Sequence, residues 1–314
     1  MITPIRDIGR AGIVVDIPDI NLAPNQLSLG QNVRFEDGSA KSFPGNSTFT
    51  TPTVTPYFLL PYPSGSVFYW IYMGMAKGYI YNGTTHTDIT RAAGDYTGTS
   101  NHRWNGGVLG GVPILNNGVD APQYYNGTIL NNLIWDGVTD WETLGVTAKV
   151  IRPHKNNLIA MNITEGVNNY PMRVHWSNPA EVDTIPDSWD PADTTGDAGY
   201  NDLADTPGFL IDGLPMRDWF ILYKDDAAYR MVYTGTGEIY NITRMLKVPG
   251  ILAQGCAVEV RGRHIVLGPG DLYWTDGTQW ESIADDRVKR ALFGAIDPDS
   301  KDNCFLQHFP DKEE

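Results

Sequence analysis

Cysteine is almost missing from this sequence: Cys256 and Cys304 are the only two among 314 residues. Two cysteines outside any CxxC pair make no disulfide framework and read as reduced, buried thiols. Charge is also scarce, at 19% of residues, and one sign is short: 23 Lys and Arg stand against 37 Asp and Glu, a formal net charge of −14. Basic residues cluster only at Arg261/Arg263 and Arg287/Lys289/Arg290. That argues against a conventional nucleic-acid binder, which neutralises phosphates with massed Lys and Arg. Long apolar runs are lacking too. The longest, Val67–Met75, is too short to span a bilayer, and the opening Met1–Asp7 has no signal-peptide core. The expectation is synthesis in the cytoplasm without a membrane span.

Catalytic motifs are equally sparse. There is no G-x-S-x-G elbow, no phosphate-binding G-x-x-x-x-G-K-[ST] loop and no H-E-x-x-H pair. The six histidines (86, 102, 154, 175, 264 and 308) are dispersed, which suits surface or satisfied core positions better than metal ligation. Asp297–Asn303 alternates oxygen ligands but lacks the central Gly and closing Glu of a calcium loop, so it reads as a turn. Thr275–Trp280 is similar to the Asp-box of sialidase propellers, yet Thr275 stands where that box requires Asp. No catalytic, cofactor-binding or metal-ligating residue is therefore nominated, no cofactor is expected, and the chain is not read as an enzyme. A carboxylate pair at glycosidase spacing stays open, because carboxylates are plentiful.

What is present is turn-formers and aromatics. Gly and Pro number 33 and 21, and Tyr and Trp 16 and 9. With 41% hydrophobic residues, this describes a β-rich globular chain. A loose aromatic-x-Gly-Thr repeat recurs at Tyr81–Thr84, Tyr125–Thr128, Tyr233–Thr236 and Trp274–Thr278, with a weaker relative at His175–Pro179. Asn-Gly and Asp-Gly predict two-residue hairpin turns, flanked by strands with aromatics at alternate positions. Units of about 40–50 residues with four short strands match propeller blades. The fold class is thus all-β: an irregular β-propeller of five or six blades, with an extended N-terminal arm and little helix. Residues 1–48 form the arm, with a short helical turn at Pro24 and a hairpin at Asp37-Gly38; residues 49–314 form the propeller-like domain. Residues 182–208 read as a long loop and 283–295 as the one good helix. A last unit is expected from about 290. Cys304–Phe309 reads as a strand whose partner is missing, so that the C-terminal blade is incomplete, through an early end of the chain or a strand supplied by Ile13-Val14-Val15 of the arm.

The arm reads Gly12-Ile13-Val14-Val15-Asp16, then Leu22-Ala23-Pro24-Asn25-Gln26-Leu27, then Asn32–Lys41 around Phe35 and Gly38, then Pro44-Gly45. As a whole it resembles the opening of the tail nozzle proteins of short-tailed bacteriophages, also called tail tubular proteins B or packaged-DNA stabilisation proteins. Arg173–Ser177 with Trp189, and Arg287-Val288 with Phe293 and Ile296, look similar to later stretches of that family. Phe43-Pro44 departs from it, replacing a basic residue common before the final Gly. The resemblance implies a structural virion protein made in the bacterial host cytoplasm and assembled into the viral tail. It implies a homo-oligomeric ring, usually a hexamer, that touches tail adaptor and fibre or spike proteins. Through it DNA passes without sequence-specific binding, and the ring helps to retain and release the packaged genome. The acidic surplus would then line the channel and repel phosphate, although ordinary surface solubility explains the same count. The alternative is a glycan- or protein-binding propeller, and less so a propeller hydrolase.

Overall fold

A computed structural model of the chain describes residues 7–8, 10–15, 17–42, 47–236 and 238–310. Asp16, Phe43, Pro44 and Gly45 lie outside the described residues. The chain divides into two compact units. One comprises residues 1–51 with 285–295, the other 52–284 with 296–314.

The larger unit is built from five four-stranded antiparallel sheets, each made of consecutive strands in the order they occur in the chain. Blade 1 holds β3 (Phe58–Ser64), β4 (Val67–Met73), β5 (Gly78–Tyr81) and β6 (His86–Asp88). Blade 2 holds β7 (Asn105–Leu109), β8 (Val112–Asn116), β9 (Gln123–Tyr125) and β10 (Leu130–Asn132). Blade 3 holds β11 (Val146–His154), β12 (Asn157–Glu165), β13 (Asn168–Trp176) and β14 (Gly199–Asp202). Blade 4 holds β15 (Leu210–Met216), β16 (Trp219–Lys224), β17 (Ala228–Thr236) and β18 (Glu238–Arg244). Blade 5 holds β19 (Ala257–Val260), β20 (Arg263–Gly268), β21 (Asp271–Thr275) and β22 (Trp280–Ser282). The first strands of neighbouring blades touch in turn, β3 with β7, β7 with β11, β11 with β15 and β15 with β19. First strands are therefore innermost, as in a propeller. The fold is an all-β propeller with five blades, and among the described residues no blade forms from 290 onward.

Apolar side chains gather between blades. Ile71, Met73, Trp104 and Leu115 join blades 1 and 2; Ile114, Trp141, Ile151 and Trp189 join 2 and 3; Ile159, Trp176, Phe220 and Met231 join 3 and 4. Of the repeated aromatics, Tyr81, Trp176 and Tyr273 are buried in strands and Trp70, Tyr125 and Trp274 half-buried, but Tyr233 is 41% exposed.

The sequence repeat marks one structural position, the connection from third to fourth strand. In blades 1, 2 and 5 this is a four-residue loop rather than a two-residue hairpin. Asn82 Oδ1 accepts the amides of Thr84 and Thr85, Asn126 Oδ1 those of Thr128 and Ile129, and Asp276 Oδ1 those of Thr278 and Gln279, all at 2.8–3.0 Å. The carboxamide or carboxylate replaces a backbone acceptor, and only the following Gly needs positive φ: 96° at Gly83, 92° at Gly127 and 87° at Gly277. Tyr81 and Tyr125 each donate their hydroxyl to the carbonyl of that Gly, at 2.7 and 2.9 Å. Thr275 takes the equivalent position in blade 5, so Trp274 stands one residue out of phase with the repeat. In blade 3 the weaker repeat at 175–179 is no turn; it opens a 177–198 connection, and β14 forms inside the stretch expected to be all loop.

In the smaller unit, β1 (Val33–Glu36) and β2 (Ser39–Ser42) pair antiparallel around Asp37 and Gly38, with φ of 52° and 73°. Two positive φ values make the expected type I′ hairpin. Pro24 sits in a turn closed by Gln26 N–H to Ala23 O at 2.9 Å; the short helical turn lies earlier, at Asp19–Asn21. Ile13 bridges to Leu27 within this unit. The helix α1 (Asp286–Ala295) belongs to this unit rather than to the blades, and Asp285 Oδ1 accepts the amides of Arg287 and Val288 at its N-terminus.

Cys304–Phe309 is not a strand. It follows a 3₁₀ turn, Pro298–Asn303, capped by Asp297, which accounts for the calcium-like spacing. Leu306 N–H donates to Gly255 O at 2.8 Å, and Phe305–Gln307 line a cavity shared with Pro56–Leu59. This segment therefore lies at the seam between blades 5 and 1.

Candidate functional site

Polar groups interrupt the apolar strands where the blades converge. Asp212 follows a register shift at the start of β15 and is 0% exposed. Arg152 of β11 grips it with both prongs, Nε to Oδ1 at 3.0 Å and Nη2 to Oδ2 at 2.9 Å. Asp212 also accepts the amides of Gly213 and Gly255, and Arg152 Nη1 reaches Gly106 O at 3.4 Å. One ion pair thus ties blades 2, 3 and 4 to the entry of blade 5, with the carboxylate oxygens fully satisfied. Such a buried, fully hydrogen-bonded pair fixes geometry.

A second group joins blades 2 and 3. Asn105 Oδ1 accepts Ile151 N–H at 2.8 Å and its Nδ2 donates to Lys149 O at 3.1 Å; Asn116 Nδ2 donates to Ala148 O at 2.9 Å. Both carboxamides replace strand pairing that β7 and β11 cannot make. Opposite Lys149, Asn162 forms a bulge in β12 with φ of 58°. The bulge turns Asn162 toward blade 4, where its Nδ2 donates to Leu210 O at 3.3 Å.

Lys149 and Asn162 also line a cavity of about 530 Å³ bounded by residues of blades 2, 3 and 4. Its wall carries Asn101, Asn117, Asn162, Asn169 and Gln254, the charged Arg103, Lys149 and Asp302, and the half-exposed ring of Phe209. Asp302 is the one carboxylate on this wall, so a glycosidase pair is not assembled there.

The histidines are spread over the fold, none supplying a shared centre. Buried His264 accepts from Tyr223 Oη at Nδ1, 2.9 Å away, if its Nε2 donates to Pro215 O at 2.9 Å. Burial pushes His154 and His175 down to about 4, so both are neutral at physiological pH. Burial pushes the Cys256 thiol up to about 12, and both cysteines are free. Among the described residues no group of three His, Cys, Asp or Glu could hold a metal ion, and no helix is long and apolar enough to cross a membrane. Sequence reasoning nominated no site residue. Its one missed signal was polar residues inside otherwise apolar strands: Asn105, Asn116 and Asp212.

No family model matches the chain, and no curated protein matches it. Among solved structures it is similar to a prolyl endopeptidase from a study of inter-domain dynamics in catalysis and specificity, at 14% identity and a TM-score of 0.39. The match covers 72% of this chain and 34% of that one. At that similarity the fold assignment rests on the five sheets themselves.

Proposed function

We propose that this chain is a structural virion protein, a ring-forming tail nozzle that extends the DNA conduit of a short-tailed bacteriophage and helps to retain and release its genome. The observation that carries the reading is the N-terminal unit. Its sequence resembles the opening of that family, and its apolar side chains are displayed: Ile20 is 91% exposed, Leu29 82% and Phe49 80%. Apolar surface of this kind gains free energy when a second surface covers it, at roughly 25 cal/mol per Å². In the ring, copies of the chain cover one another's arms, tail adaptor and fibre or spike proteins bind the assembled ring, and no catalysis is required. The acidic surplus faces the channel, where like charge keeps DNA mobile.

The test is the mass of the purified full chain by light scattering, with immunolabelling of purified virions. A multimer of fixed size present in the tail is expected. A monomer at every concentration that is missing from virions overturns the reading, as does a lumen lined by Arg261, Arg263, Arg287, Lys289 and Arg290, which would grip phosphate.

A further inference from the structure

The cavity lined by residues of blades 2, 3 and 4 has the chemistry of a ligand site, independently of whether the chain forms a ring. We infer that it binds a short saccharide bearing a carboxylate. Its volume of about 530 Å³ lies within the ~300–1,000 Å³ range of small-molecule sites.

Five carboxamides converge on it, and each amide both donates and accepts. Sugar hydroxyls do the same, so a carboxamide wall matches a polyol better than it matches an apolar ligand or a pure anion. Asn101, Asn169 and Gln254 make no side-chain hydrogen bond among the described residues, and neither does Lys149, whose ammonium also lacks an ion-pair partner there. These groups are unspent. Phe209, 50% exposed at the rim, offers a flat apolar face of the kind that stacks on a pyranose ring.

Charge narrows the class. Lys149 and Arg103 are cationic, in a chain with a net charge of −14, while Asp302 sits on the same wall. Two cations and one carboxylate favour a monoanion that carries hydroxyl donors for Asp302. A dianionic phosphate, which brings a second negative charge beside Asp302 and has at most one hydroxyl to offer, is disfavoured. The bulge at Asn162 supports the assignment, because a non-Gly residue at φ 58° is held on the cavity wall by its bond to Leu210 O.

The experiment is titration calorimetry and saturation-transfer NMR on the full chain. The probes are glucuronic, galacturonic and N-acetylneuraminic acids, their neutral counterparts glucose and galactose, and inorganic phosphate. At least one sugar acid is expected to bind saturably, with a dissociation constant on the order of 1 mM. K149Q is expected to weaken it about fivefold, the upper range for one exposed ion pair, while leaving the neutral sugars unchanged. F209A should weaken acidic and neutral sugars alike, and N169A, at an exposed position, serves as the second variant should F209A fold poorly. Preference for phosphate over every sugar acid, absence of saccharide binding, or affinity indifferent to both K149Q and N169A overturns the inference.

Discussion

The two units of this chain handle their apolar residues in opposite ways. In the bladed unit Trp141, Trp189, Phe220 and Tyr273 are completely buried, most of them in clusters that straddle blades. In the smaller unit Val14, at 3% exposure, is the one buried apolar side chain among the described residues, and α1 has none. Both units have regular local structure, with good caps and turns. Local structure alone does not make a self-sufficient core, because turn and cap interactions are each worth about 1 kcal/mol against a similar ordering cost per residue. The blades bury their apolar residues against one another; the arm unit leaves Ile20, Leu29 and Phe49 exposed.

Substitutions can break this contrast, and the largest effect belongs to the axis. Asp212→Asn leaves the Arg152 charge unpaired in the interior and should cost about 3–5 kcal/mol in chemical denaturation. Replacing both partners with apolar residues should recover most of it. Trp176→Ala, emptying the junction between blades 3 and 4 beside Tyr240, should cost roughly 3–5 kcal/mol by the same measurement.

Protons probe the same core. His154 and His175 are held near 4, below the ordinary histidine value, by burial. The unfolded chain therefore binds more protons than the folded one between about pH 6.5 and 4. Stability is full above that window and falls as pH drops through it, by on the order of 3 kcal/mol per histidine. Melting temperature against pH should show the slope, and replacing both histidines with Gln should flatten it.

Turn glycines give smaller effects. Gly277→Ala forces positive φ on a side chain whose Cβ would stand 2.6 Å from Trp219 Cζ3, adding about 1–3 kcal/mol of overpacking to the backbone strain. Gly83→Ala meets nothing within 4 Å and should cost the strain alone, about 1–2 kcal/mol. The smallest effect sharpens the contrast most. Ile20→Ser should change the stability of the isolated chain by less than about 0.5 kcal/mol while lowering the native mass seen by light scattering. Loss of stability with unchanged mass would mean that the arm is an ordinary part of the core.

Features that depend on neighbours in sequence were legible in advance. Asp37-Gly38 makes its hairpin because two adjacent residues tolerate positive φ, and the one helix expected within 283–295 forms at Asp286–Ala295. The repeat of Asn-Gly and Asp-Gly turns announced four-stranded units for the same reason, since each Asx side chain closes its own loop. Even there the two-residue hairpins expected at Asn82-Gly83, Asn126-Gly127 and Asp276-Gly277 are four-residue loops. An Asn ahead of Gly can take positive φ itself or accept two amides, and the flanking strands choose.

The number of blades and the site were decided only by tertiary structure. Residues 285–295 carry a helical pattern that says nothing about which unit they join, and Cys304–Phe309 has strand composition without a ladder to enter. Arg152 and Asp212 stand 60 residues apart, Asn105 and Lys149 44, and Asn162 and Leu210 48. No spacing rule connects them, because the distances that bring these groups together are set by how five sheets pack around a common centre.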